Sequence, residues 1–110
     1  MSDIRLEEMP FELDGKTYKL RCNMNVLADV QEAYNGDLFE ALSGRNTFKS
    51  ILEFLAAMLN DYADEMGWTE RFTAKQLGRK YKKLDLPMDK IMAIVVRAVL
   101  PDGYTEAQGN

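Results

Sequence analysis

The stretch Thr47–Met66, TFKSILEFLAAMLNDYADEM, constrains the fold more than any other part of the chain. Phe48, Ile51, Leu52, Leu55, Ala56, Leu59 and Tyr62 recur at spacings of three and four, which sets them on one face of an α-helix. No other segment carries so long an apolar stripe, so the remaining elements have to be laid against this one. Thr47 is its expected N-cap, and Gly67 is the expected residue after its end. Lys49, Glu53, Asp61, Asp64 and Glu65 interrupt it, and no run in the chain reaches the ~18 apolar residues of a membrane span.

The segment MPFELDGKTYKLRC reads as a β-hairpin. A type I′ turn needs positive φ at both central residues, and Asp14-Gly15 suits it. That turn sets Leu13 opposite Lys16, Phe11 opposite Tyr18, Met9 opposite Leu20 and Glu7 opposite Cys22. One face then carries Met9, Phe11, Leu13, Tyr18, Leu20 and Cys22. The other carries Glu8, Pro10, Glu12, Thr17, Lys19 and Arg21, with Glu8 across from Arg21. Pro10 marks an edge strand or a bend.

The other helices follow from caps and periodicity. Asn23 or Asn25 opens a first helix that Gly36 ends, with Met24, Leu27, Val30 and Tyr34 inward. Asp37 opens a short turn in which Leu38, Phe39 and Leu42 are expected in the core. The capping box Thr73-Ala74-Lys75-Gln76 starts a basic helix over 73–84, with Ala74, Leu77, Tyr81 and Leu84 inward. Gly78 inside it signals a close helix contact or a break. Pro87 marks the first turn of a last helix whose apolar face is Met88, Ile91, Met92, Val95, Val96 and Val99, ended by Pro101-Asp102-Gly103. The expected fold class is α+β, mainly α: an N-terminal β-hairpin followed by a compact bundle of four to five helices. It forms a single domain over 1–110, with 1–7 and 102–110 flexible.

Composition removes several chemistries. The chain has 110 residues and no His, so the commonest general base and metal ligand is missing. Its one cysteine, Cys22, can form neither an intrachain disulfide nor a Cys–His nucleophile, and its place on the apolar hairpin face reads as a small buried hydrophobe. A reduced compartment follows from that usage, and MSDIRLEEMP lacks the apolar region of a secretory signal. Asp61, Asp64 and Glu65 share the end of the central helix and could approach a divalent cation, although the plainer reading is a solvated acidic helix end. No glycine-rich phosphate loop occurs. The expectation is a protein with no catalytic, cofactor or metal residues.

Charge is unevenly spread. The net charge is −4, yet residues 68–84 set Arg71, Lys75, Arg79, Lys80, Lys82 and Lys83 against Glu70 alone. A helix with Lys75, Arg79, Lys82 and Lys83 outward could lie along phosphates, and the following helix could complete a helix–turn–helix. That last helix is mostly apolar, however, with only Lys90 and Arg97 as cations, which suits base reading poorly. The plainer reading is a basic face that complements the acidic body. Trp68 and Phe72 flank a loop as core plugs or as anchors for a protein partner. The seven methionines fit a core filler or an adaptable surface.

The segment LDGKTYKLRCNMNVLADVQEAYNGDLFEAL resembles the start of small phage tail assembly chaperones, with a DGK-x-Y-x-L hairpin, an x-MN-x-L helix start and an L-x-x-AL segment. FTAKQLGRKYKKLDLPMDKIMAIVVRAVL is similar to the T-x-x-x-LG helix, short loop and closing apolar helix of that family. The resemblance spans about residues 12–100, and each motif by itself is a turn, a cap or a core stripe. It implies a non-enzymatic protein of phage or prophage virion assembly, made in the bacterial host cytoplasm. Such a chaperone binds the tape measure protein, with the tail tube protein as a second partner and with a tendency to form homo-oligomers. The chain departs from the family pattern at Lys80, Lys82 and Lys83, which keeps open the alternative of a small DNA-binding regulator using the basic helix 73–84. Tyr62, Met66, Trp68, Phe72, Lys75 and Arg79, at the junction of the central and basic helices, are the candidate partner-binding residues.

Overall fold

A computed structural model of the chain describes residues 8–82 and 85–100. The chain runs β1 (Glu8–Leu13), β2 (Lys16–Arg21), α1 (Met24–Ala33), α2 (Leu38–Leu42), α3 (Thr47–Met66), α4 (Ala74–Lys80) and α5 (Met88–Val99). The architecture is α+β and mainly α: among the described residues, one two-stranded antiparallel hairpin and five helices. The expected tail segments, Glu7 and the Pro101-Asp102-Gly103 stop lie outside the described residues.

The hairpin has the register that its turn dictates. Asp14 and Gly15 both take positive φ, at 53° and 84°. Glu8 pairs with Arg21, Met9 with Leu20, Phe11 with Tyr18 and Leu13 with Lys16. A one-residue slip would turn every apolar side chain outward. As it stands, Phe11, Leu13, Tyr18 and Leu20 are buried, and Met9 and Cys22 pack at the margin of the core.

The other elements gather around α3, which contacts β2, α1, α2, α4 and α5. This changes the expected pattern. From Phe54 to Leu59 every residue is buried, because neighbours cover α3 on most sides rather than along one stripe. Phe48, in the first turn of α3, is 58 % exposed, contrary to the expected stripe.

The helix ends show where local rules hold. Asn23 caps α1 by accepting from Val26 N–H. With the helix so started, Val26 and Val30 turn inward and Met24 is exposed, contrary to the expected stripe. Asn35 as well as Gly36 takes positive φ after α1. Gly36 N–H bonds to Gln31 O and Asn35 N–H to Glu32 O, the two bonds of a Schellman end. In α2 it is Ala41 that is buried, with Leu38 and Leu42 partly covered, while Phe39 faces out, because a five-residue helix can turn only one short face to α3. Asn46, not Thr47, precedes α3, and it makes no side-chain cap bond; the Thr47 hydroxyl donates to Gly44 O instead.

The basic helix is shorter than expected. Its capping box forms as read, with Thr73 and Gln76 bonding reciprocally. It ends at Lys80, and Tyr81 is already extended. Lys82 therefore lies beyond it, Lys83 and Leu84 lie outside the described residues, and the expected row of four cations does not share one helix. The helix runs straight through Gly78, where an added Cβ would sit 3.3 Å from Leu52 Cδ1, so the glycine marks a close contact with α3. In α5, Ile91, Ile94 and Val95 form the buried face, and Val96 and Val99 lie at its exposed edge.

Candidate partner-binding site

The junction after α3 is built by its C-terminal cap. Gly67 takes φ 77°, its N–H bonds to Asp64 O, and Trp68 N–H bonds to Ala63 O at 2.8 Å. This reversal brings Trp68 back over the last turns of the helix, where its ring meets Tyr62 edge-on at 5.8 Å. Tyr18 of β2 completes the cluster, with edge-on contacts to Tyr62 at 6.1 Å, Trp68 at 5.2 Å and Phe72 at 5.8 Å. Such pairs add about 0.5–1.5 kcal/mol each beyond their buried area. Tyr62, Trp68 and Phe72 are thus a half-buried clamp that fastens the hairpin to α3.

Cations close the cluster from outside. Lys16 Nζ lies 4.4 Å from the Trp68 ring centre and also pairs with Glu70, whose carboxyl this hydrogen bond holds below its ordinary pKa. The Arg21 guanidinium lies over Tyr62 at 5.3 Å and pairs with Glu65. Burial pushes the Tyr18 phenol up, so it stays neutral in the cluster. The three carboxylates at the end of α3 each have a separate protein partner. Asp61 accepts from Asn23 Nδ2 at 2.7 Å, Asp64 pairs with Arg71, and Glu65 with Arg21. No group of three metal-ligating side chains occurs among the described residues.

Asn60 fixes the loop between α3 and α4. Its side-chain Nδ2 donates to Phe72 O at 2.9 Å, and Phe72 N–H donates to its Oδ1 at 2.8 Å. The loop so held forms one wall of a groove of about 510 Å³, over Ala56 and Ala57 of α3. Phe72, Thr73 and Lys75 line that wall, and Asp29 and Glu32 of α1 with Glu53 of α3 line the other. Burial, with the neighbouring charges of Glu32, Asp61 and Asp64, pushes the Asp29 carboxyl up.

The candidate residues therefore separate. Tyr62, Trp68 and Phe72 come together in the clamp, and Phe72 and Lys75 also meet the groove. Met66 is 48 % exposed at the end of α3. Arg79 is exposed on α4. Sequence reasoning missed Asp29, Glu32, Glu53 and Asn60 as groove residues. The one signal for Asn60 was a polar amide inside the apolar run. The three carboxylates looked like ordinary solvent-facing positions, because their convergence depends on how α1 and α3 pack. No helix among the described residues is long and apolar enough to cross a membrane. Compared with protein-family models, with curated proteins and with solved structures, the chain shows no match.

Proposed function

We propose that this chain is a non-enzymatic tail assembly chaperone of a phage or prophage, acting in the cytoplasm of the bacterial host. In this role it holds the tape measure protein soluble while tail tube subunits assemble. The observation that carries the reading is the order of elements and their punctuation: the Asp14-Gly15 hairpin, the Asn23-capped helix, the short Leu38–Leu42 helix, the Thr73 capping box with Leu77-Gly78 and the closing apolar helix. The groove between α1 and α4 supports it. An alanine floor lets a client helix approach closely, and the Asp29, Glu32 and Glu53 wall favours a client with Lys or Arg on its flank.

The test is co-expression with the tape measure protein of the same gene cluster. The chaperone raises the client's soluble yield and co-purifies with it, and Asp29→Lys with Glu32→Lys abolishes both while the chain stays folded. A client equally insoluble with and without this chain sinks the proposal.

A further inference from the structure

Asn35-Gly36 belongs to neither the core nor the groove, and of the six asparagines in the chain only Asn35 precedes a glycine. That pairing has a chemistry of its own. The main-chain nitrogen of the following residue can attack the asparagine side-chain carbon Cγ, and glycine puts no side chain in its way. Both residues are exposed, so water reaches them.

The fold holds this dipeptide in a conformation that blocks the attack. It forms the C-terminal cap of α1, with Asn35 at φ 57° and Gly36 at φ 91°. Asn35 N–H donates to Glu32 O at 3.1 Å, Gly36 N–H to Gln31 O at 2.8 Å and Asp37 N–H to Tyr34 O at 3.1 Å. The Gln31 side chain adds a bond from Nε2 to Gly36 O at 3.0 Å. To react, the Gly36 nitrogen must give up its proton and turn toward Cγ of Asn35. Here that N–H is committed to Gln31 O, and the peptide groups on both sides of Gly36 are tied.

We infer that Asn35 is a site of spontaneous modification gated by the cap of α1. When the cap opens, Gly36 N attacks Asn35 Cγ. The N–Cγ bond forms, the Cγ–Nδ2 bond breaks, and the side-chain nitrogen leaves as ammonia with the proton from Gly36. A five-membered imide remains, and water adds to one of its two carbonyls. Opening at Cγ's bond to nitrogen gives isoaspartate's counterpart, ordinary aspartate, with Gly36 back on the main-chain carbonyl. Opening at the main-chain carbonyl gives isoaspartate, whose chain runs on through Cβ and Cγ. Either product places a new carboxylate at the negative end of the α1 dipole. Isoaspartate also lengthens the main chain by a carbon between residues that the cap bonds join, so the cap does not close again as it was. The residue before it, Tyr34, makes the buried bond to Ser50 at 2.8 Å. The conversion therefore runs one way and loosens the end of α1.

The experiment follows the mass and the peptide map of the full chain, incubated folded at neutral pH and, in parallel, unfolded in guanidinium chloride. Each conversion exchanges an amide NH2 for OH, and the map locates it. Asn35 converts in both, and about tenfold or more slowly in the folded chain, because the reaction proceeds only from the open fraction. Gln31→Met keeps size, helix propensity and the main-chain bond to Gly36 but drops the side-chain tie. It speeds conversion severalfold in the folded chain and leaves the unfolded rate unchanged. The separated isoaspartate form melts below both wild type and Asn35→Asp, and thermal unfolding of each variant verifies the fold. Equal rates in the folded and unfolded chain overturn the gate. So does a Gln31→Met protein that converts at the wild-type rate when folded. No conversion at Asn35 in the unfolded chain removes the site itself, and an isoaspartate form as stable as wild type overturns the loosening of α1.

Discussion

The carboxamide of Asn60 spans the peptide groups of Phe72 on both sides, accepting from its N–H at 2.8 Å and donating to its carbonyl at 2.9 Å. The two residues are twelve apart in sequence, and this pair of bonds sets the path of the loop that carries Trp68. Replacing Asn60 by Ala leaves a part-buried N–H and C=O unpaired, at about 1–3 kcal/mol. We expect Asn60→Ala to lower the unfolding free energy by that amount, read as a lower urea midpoint, and to shift the emission of Trp68, the single tryptophan, toward exposed values. Unchanged emission would show that the clamp holds the loop without Asn60.

A second buried link ties three helices. Ser50 Oγ donates to Ala41 O at 2.7 Å and accepts from the Tyr34 hydroxyl at 2.8 Å, since its one proton is already committed. Tyr34→Phe removes one bond and leaves no orphan donor, at a cost near 1 kcal/mol. Ser50→Ala leaves both the Ala41 carbonyl and the Tyr34 hydroxyl without this partner, and is expected to cost more. Denaturant unfolding of the two variants checks the order.

Gly78 permits a signed prediction. In an α-helix Gly costs roughly 1 kcal/mol relative to Ala. The new methyl would meet only Leu52 Cδ1, at 3.3 Å, and that atom is the tip of a half-buried side chain that can move by a few tenths of an ångström. Gly78→Ala is therefore expected to raise the melting temperature slightly, and Gly78→Val, with more to accommodate, to lower it.

Cys22 gives a pH dependence. Burial pushes its thiol up to about 12 from an ordinary 9.0. The folded state thus keeps a proton that the unfolded state loses, so this contribution to stability is fully present below pH 9 and declines as pH rises from 9 toward 12. Unfolding at pH 8 and pH 10 should show a larger loss for wild type than for Cys22→Ala, with the tyrosine and lysine contributions cancelling in the comparison. Equal losses would place the thiol in water.

What could be read directly was local. The type I′ turn at Asp14-Gly15 fixed the register of six residue pairs, because two positive φ values leave the strands one relation. The Asn23 cap, the Thr73 capping box and the left-handed Gly67 likewise act within a few residues of themselves. The inward positions of the helices were less legible. Periodicity names a face but not how wide it is, so Phe54 and Ile94 were missed while Phe39, Phe48 and Met24 were wrongly turned inward.

The sequence by itself therefore determined the elements, their order and most of their ends, since caps and turns are satisfied by neighbours along the chain. Only the tertiary structure decided that α3 is covered on most sides, that the basic helix stops at Lys80, and that Trp68 serves a clamp. It also brought Asp29, Glu32 and Glu53 to one groove, with Lys75 on its far wall. Those outcomes depend on which residues distant in sequence come within a few ångströms, where burial and Coulomb attraction act, and spacing along one helix does not encode that distance.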